Sequence, residues 1–177
     1  MLNQEQDDLN ELEKRCLEIR NKMNEKLPPH ELVLDNMLVV KDSSIPNAGS
    51  GLFYEPFLSS SSQPGNKSNV IHSGTTICYY TGHRHNFLSQ KYLSDKSYLM
   101  NVAGEILVDP GPVLSIKARY INDPLNDNFV NCKFVPEPSS FRCAVVATRD
   151  IMPEEELFVS YGEIYWSQQS IDGSILS

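Results

Sequence analysis

The sequence predicts an α+β fold that is mainly β, made of short strands and short helical crossings and preceded by one N-terminal helix. Three observations lead there. Short runs rich in Val, Ile, Tyr and Phe, separated by turn residues, recur from residue 37 to residue 148, and runs of this length and content read as strands. Within that stretch only 87–93 and 113–121 carry a helical pattern. The one long apolar stripe at helical spacing is confined to the first 27 residues.

In that first stretch Leu2, Leu9, Leu12, Cys16, Ile19 and Met23 recur at spacings of three, four or seven among Glu and Lys. Such a stripe defines an amphipathic helix over 1–27. Pro28-Pro29 ends it, because proline lacks the N–H and its ring clashes with the preceding turn. The stripe has two uses: docking on the main domain, which its short length favours, or a homodimer through a short coiled coil. Residues 28–36 form a linker.

The main domain, 37–166, then carries strands at 37–40, 51–54, 76–81, 105–108, 129–135 and 141–148. Between the second and third, residues 59–69 read Ser-Ser-Ser-Ser-Gln-Pro-Gly-Asn-Lys-Ser-Asn. That composition predicts a mobile insertion loop that can be trimmed without unfolding the domain. Residues 167–177 form a short C-terminal tail.

A chain of 177 residues suits one domain with an appended segment, and hence one site. Its formal charge of −8 disfavours direct contact with nucleic acid, whose phosphates demand Lys and Arg, and attracts a basic peptide. No run approaches the roughly 20 apolar residues that cross a bilayer, and the acidic N-terminus lacks the parts of a signal peptide. An intracellular protein without a membrane partner is expected. Cys16, Cys78, Cys132 and Cys143 include no C-x-x-C pair and read as core thiols. His83 and His85 flank Arg84 without acidic or thiol neighbours, so no metal is expected.

Three segments carry chemistry. Ile45-Pro46-Asn47-Ala48-Gly49-Ser50-Gly51-Leu52-Phe53 passes through a paired-glycine turn, where the backbone can approach a ligand. Alone it reads first as a structural turn, and it lacks the helix that follows in a dinucleotide loop. Lys117-Ala118-Arg119-Tyr120-Ile121-Asn122-Asp123, followed by Val130-Asn131-Cys132-Lys133-Phe134-Val135, supplies two amides that can donate and accept within a buried site. The third segment runs from Arg149 through Glu154-Glu155-Glu156-Leu157 to Val159-Ser160-Tyr161-Gly162, with Tyr165 and Trp166 just beyond.

In this order and at these separations the segments resemble the SET-domain protein lysine methyltransferases. That family carries a G-x-G-[LV]-F turn, an R-F-I-N-H-S-C-x-P-N segment and a G-E-E-L-x-x-x-Y-G ending. A fourth stretch, His72-Ser73-Gly74-Thr75-Thr76-Ile77-Cys78-Tyr79-Tyr80-Thr81-Gly82, is similar to the family's K-G-x-x-I-x-x-Y-x-G. The resemblance covers about 37–166.

It implies a SET-domain fold of small curved sheets in which the Asn122 segment and the C-terminal stretch form a pseudoknot, an exception to unthreaded connections. It implies S-adenosyl-L-methionine as cofactor, released as S-adenosyl-L-homocysteine. By the same resemblance the backbone of Ala48, Gly49, Ser50 and Gly51 cradles the methionine end with Tyr98 beside it. Asn122 holds the amino acid moiety, Asp123 lines the adenine edge through its main chain, and Trp166 is either core or a cover for the adenine. Tyr161 completes the active site, with Tyr80 and Phe134 as walls of a lysine channel; an apolar Phe134 favours di- or trimethylation.

A lysine with a pKa near 10.4 is protonated at neutral pH and has no lone pair for attack. A narrow apolar channel and a nearby sulfonium both disfavour the cation. The implied substrate is a Lys- and Arg-rich protein, a histone first, which places the protein in the nucleus; a non-histone target places it in the cytosol. The alternative from another class is a SET-like module that binds partners without turnover. Three positions depart from the family pattern: Asp123 stands where the family has His, the loop 124–129 is longer, and no cysteine-rich segment follows Trp166.

Overall fold

The computed structural model describes residues 34–56 and 69–171, with the backbone alone from 168 onward. The expected helix over 1–27 and the insertion loop, save Asn69, lie outside those residues. The described chain divides into two units, one comprising 78–119 and 135–144, the other 34–56, 69–77, 120–134 and 145–171. Strand β1 (Leu38–Asp42) pairs antiparallel with β2 (Ser50–Tyr54), Leu38 facing Tyr54 and Asp42 facing Ser50. The paired-glycine segment is the turn between them. It reverses the chain through Asn47 and Gly49 at φ 65 and 72, a region that glycine enters without steric cost. Only Leu38 of β1 is buried, whereas β2 is buried from Gly51 to Tyr54.

Six further strands follow: β3 (Thr76–Tyr80), β4 (His83–His85), β5 (Met100–Ala103), β6 (Ile106–Asp109), β7 (Cys132–Glu137) and β8 (Arg142–Ala147). They form two three-stranded sheets, ordered β3-β8-β7 and β4-β6-β5. In the second sheet β6 pairs antiparallel with both neighbours, and Gly104 at φ 52 closes the β5–β6 turn. The six strands expected from the sequence correspond to β1, β2, β3, β6, β7 and β8. Strands β4 and β5 carry His-Arg-His and Met-Asn-Val-Ala, too short and too poor in β-branched residues to signal a strand.

The two stretches with a helical pattern form 3₁₀ turns, Ser89–Tyr92 and Lys117–Tyr120. The first is preceded by Asn86, whose Oδ1 accepts from the amides of Leu88 and Ser89 at 3.0 and 2.8 Å. One α-helix, α1 (Glu163–Ile171), follows the Tyr-Gly pair and was not legible as a helix in the sequence. Small antiparallel sheets with a few short helices give the mainly β architecture that the sequence predicts. No helix among the described residues is long and apolar enough to cross a membrane.

In the second unit the core is Leu52, Ile71, Ile121, Ile151, Leu157 and Val159, each buried. The C-terminal stretch runs between the two arms of the 122–131 segment. Val159 N donates to Asn122 O at 3.1 Å, while Phe158 O accepts from Asn131 N and Cys132 N at 3.2 and 2.9 Å. Asn122 and Phe158 form a parallel bridge, the side-by-side placement expected of the pseudoknot.

Candidate active site

Residues 46–50 are exposed, and a Cβ at Gly49 would meet nothing within 4 Å, so one side of the turn's backbone is open. The other side rests on a carboxylate. Glu156 Oε1 accepts from Ser43 Oγ at 2.7 Å, and Oε2 accepts from the backbone amide and hydroxyl of Ser44 at 2.7 and 2.6 Å. A Cβ on Gly51 would lie 2.1 Å from Glu156 Oε1, so Gly51 leaves room for that carboxylate. Glu156 is buried, and a buried carboxylate is tolerated when donors satisfy it.

Glu156 sits within a run of three glutamates that composition alone does not tell apart. Their surroundings separate them: Glu154 is exposed at φ 72, Glu155 pairs with Arg149 at 3.0 Å, and Glu156 opens the buried run that continues through Leu157 to Val159.

Asn122 links this turn to the pseudoknot. Its Nδ2 donates to Ser50 O at 3.0 Å and approaches Glu156 Oε1 at 3.4 Å. Asn131, also expected to matter, is 1% exposed; its Nδ2 donates to Glu156 O and its Oδ1 accepts from Phe158 N, both at 2.8 Å. Asn131 is therefore a scaffold for the stretch that carries Tyr161.

Tyr161 is half-buried. Its hydroxyl donates to Ile121 O at 2.7 Å, and its backbone N–H donates to Asp123 Oδ2 at 2.8 Å. Trp166, on α1, stacks on the Tyr161 ring with centroids 5.9 Å apart and 20° between planes. Tyr165 meets both rings edge-on at 4.8 and 5.1 Å. The second unit thus gathers Ala48, Gly49, Ser50, Gly51, Asn122, Asp123, Tyr161 and Trp166, and Phe134 lies half-buried on β7 within the same unit. Tyr80 and Tyr98 belong to the first unit, where the buried Tyr80 hydroxyl donates to Tyr98 O at 2.6 Å.

Among the described residues no group of three or more His, Cys, Asp or Glu side chains could hold a metal ion. Cys78, Cys132 and Cys143 are buried, and none of them forms a disulfide among the described residues. Burial pushes the thiols of Cys132 and Cys143 up to about 12 and about 11, so both stay protonated and unreactive at neutral pH. Cys16 lies outside the described residues.

Small sheets, a C-terminal stretch threaded between two arms of one loop, and a tyrosine at its end define a class of fold that other proteins share. The SET-domain family model matches residues 4–162. The chain belongs to the SET-domain family, the protein lysine methyltransferase family whose motifs it carries. Among solved structures it is similar to one described as "Crystal structure of an active polycomb repressive complex 2 in the basal state". The TM-score is 0.54 and the identity 24%, over 71% of this chain and 15% of that one. A likeness at that identity speaks to the fold, and the chain spans a small fraction of that relative's length. No curated protein sequence matches.

Proposed function

We propose that the chain transfers a methyl group from S-adenosyl-L-methionine to the ε-amine of a lysine in a basic protein, with a histone tail as the first candidate. The observation that carries this reading is Asn122, whose amide is bonded to Ser50 O of the glycine turn at 3.0 Å and lies one residue from the carboxylate that holds the backbone of Tyr161.

The residues present fit the cofactor. The turn at Ala48, Gly49, Ser50 and Gly51 offers open backbone over Gly49, suited to close approach by a ligand. Asn122 uses its Nδ2 on Ser50 and Glu156, while its Oδ1 accepts no hydrogen bond among the described residues. That oxygen suits an α-ammonium. Trp166 and the main chain of Asp123 are proposed for the adenine end, and Tyr98 for the methionine end.

Bound S-adenosyl-L-methionine supplies a methyl carbon made electrophilic by a positive sulfur. The task left to the protein is alignment, since an in-line displacement gains most from fixed geometry. The Tyr161 hydroxyl donates its hydrogen to Ile121 O, so the oxygen offers a reacting centre lone-pair density rather than a proton. A fixed dipole of that sense stabilises positive charge on the amine and methyl as the new bond forms. Tyr161 therefore aligns and polarises, and water carries the lysine proton away. Tyr80 and Phe134 are proposed as walls around the lysine. The net charge of −8 suits a Lys- and Arg-rich peptide, and a histone substrate places the protein in the nucleus.

Calorimetric titration with S-adenosyl-L-homocysteine tests the site, and transfer of labelled methyl to histones tests the reaction. Saturable binding and transfer are expected. Binding without transfer to histones or other basic proteins marks a partner-binding module instead, and transfer confined to non-histone proteins changes the substrate alone.

A further inference from the structure

Asp123, the residue that departs from the family's histidine, carries a structural load of its own. Its Oδ2 accepts from two donors, the backbone N–H of Tyr161 at 2.8 Å and the indole Nε1 of Trp166 at 2.9 Å. Its Oδ1 accepts from Leu125 N at 2.8 Å. All three partners donate, and an ionised carboxylate is the side chain that only accepts. A neutral imidazole has a single acceptor nitrogen, and an amide has a single oxygen, so neither meets donors on both sides.

These bonds converge on Tyr161. Its hydroxyl is fixed by Ile121 O, its backbone by Asp123, and its ring face by Trp166, which the same Asp123 oxygen holds. One short segment, 121–123, therefore grips the tyrosine at the hydroxyl, at the main chain and, through the indole, at the ring. We infer that Asp123 is a positioning residue for Tyr161, tying its backbone and the Trp166 ring to the Asn122 segment so that the phenol oxygen keeps the alignment methyl transfer needs. The inference rests on the methyltransferase reading above.

Trp166 is the single tryptophan of the chain, so intrinsic tryptophan emission reports on the surroundings of this one ring. The test compares the full-length wild type with Asp123→Ala, Asp123→Asn, Trp166→Phe and the double variant Asp123→Ala/Trp166→Phe, with folding checked by circular dichroism. Asp123→Ala is expected to shift Trp166 emission to the red. It should lower kcat about tenfold, the scale of a lost charge-assisted hydrogen bond, with S-adenosyl-L-homocysteine affinity changed less. Asp123→Asn, whose one oxygen can serve Tyr161 N and Trp166 Nε1 together, is expected to restore most of kcat, including where the alanine variant fails to fold. The double variant should be no slower than Asp123→Ala, because linked groups are not additive.

Wild-type emission and kcat in Asp123→Ala overturn the inference while S-adenosyl-L-homocysteine binding leaves the methyltransferase reading standing. Additive losses in the double variant, or no rescue by asparagine, likewise reduce Asp123 to a stability element. Failure of the wild type to bind S-adenosyl-L-homocysteine overturns the methyltransferase reading, and the positioning role with it.

Discussion

At Asn131 a side-chain amide does the work of a neighbouring strand. It donates to Glu156 O and accepts from Phe158 N, satisfying two backbone groups of the buried C-terminal stretch. Asn131→Ala leaves both without a partner, at roughly 1–3 kcal/mol for each buried group. A thermal midpoint lower by roughly 6–12 °C is expected for a loss of about 3 kcal/mol at this chain length; a melt within 2 °C of wild type contradicts the scaffold role. Tyr161 is the opposite kind of residue. Tyr161→Phe keeps the ring stacked on Trp166 and removes the lone-pair oxygen, so kcat should fall about 100-fold with S-adenosyl-L-homocysteine affinity within about twofold by calorimetry. A matching loss of affinity would make Tyr161 a cofactor contact instead of an aligning group.

Among the elements, the β1–β2 hairpin is sensitive to a single methyl group at Gly51. Glu156 is fastened by Ser43 and Ser44 and cannot swing aside cheaply, so the Cβ of Gly51→Ala drives the turn off its carboxylate. Cofactor affinity should fall by more than about tenfold, and the shorter acid of Glu156→Asp should recover part of it in the double variant; a Gly51→Ala protein that binds normally sinks this account. Strands β7 and β8 make a second prediction: at pH 7 and without denaturant, Cys132 and Cys143 should resist iodoacetamide for as long as the sheet is closed, and mass spectrometry after a urea pulse should find them alkylated. Rapid labelling of either in the native protein would contradict its burial. The elements were legible where apolar runs alternate with turn residues, as in β2, β3 and β8. Strands β4 and β5 were not, because pairing with β6 defines them rather than their own composition, and α1 was obscured by its polar Ser-Gln-Gln-Ser end.

Across the whole molecule, pH acts through groups whose ionisation differs between the folded and unfolded states. The thiol of Cys132 rises from 9.0 to about 12, chiefly by desolvation, and that of Cys143 to about 11 for the same first cause. A raised acid contributes stability that is complete below its unfolded value and is lost as pH rises through the folded one, so the loss runs from about 9 upward. Urea midpoints should fall between pH 8 and pH 11, and Cys132→Ala should flatten that slope; an unchanged slope removes Cys132 from the cause. At the acid end Asp150 is held low by the Ser73 amide and by His72, so its contribution is present above the ordinary carboxyl range and disappears as pH falls through the lowered value. The chemistry was legible at this scale because four motifs keep one order along the chain. What the sequence did not reveal is which polar residues face one another: Glu156 beneath Gly51 and Asp123 beneath Trp166 are contacts that only the threaded stretch creates.

The hydrogen bonds from Ser43 and Ser44 to Glu156 join residues 113 and 112 positions apart. A nascent chain therefore carries its glycine turn unsupported until Glu156 has been made, and contacts of such range are slow to close because loop entropy must be lost first. The stretch around Glu156, made 112 residues after Ser44, is the one that props the turn from below and brings Tyr161 with it. Cofactor could then be admitted only after the chain has threaded, which makes ligand binding a late reporter of completed folding. Pulse-labelled refolding should accordingly show β-sheet signal returning before S-adenosyl-L-homocysteine binding, and simultaneous recovery would mean that the turn is formed without its prop.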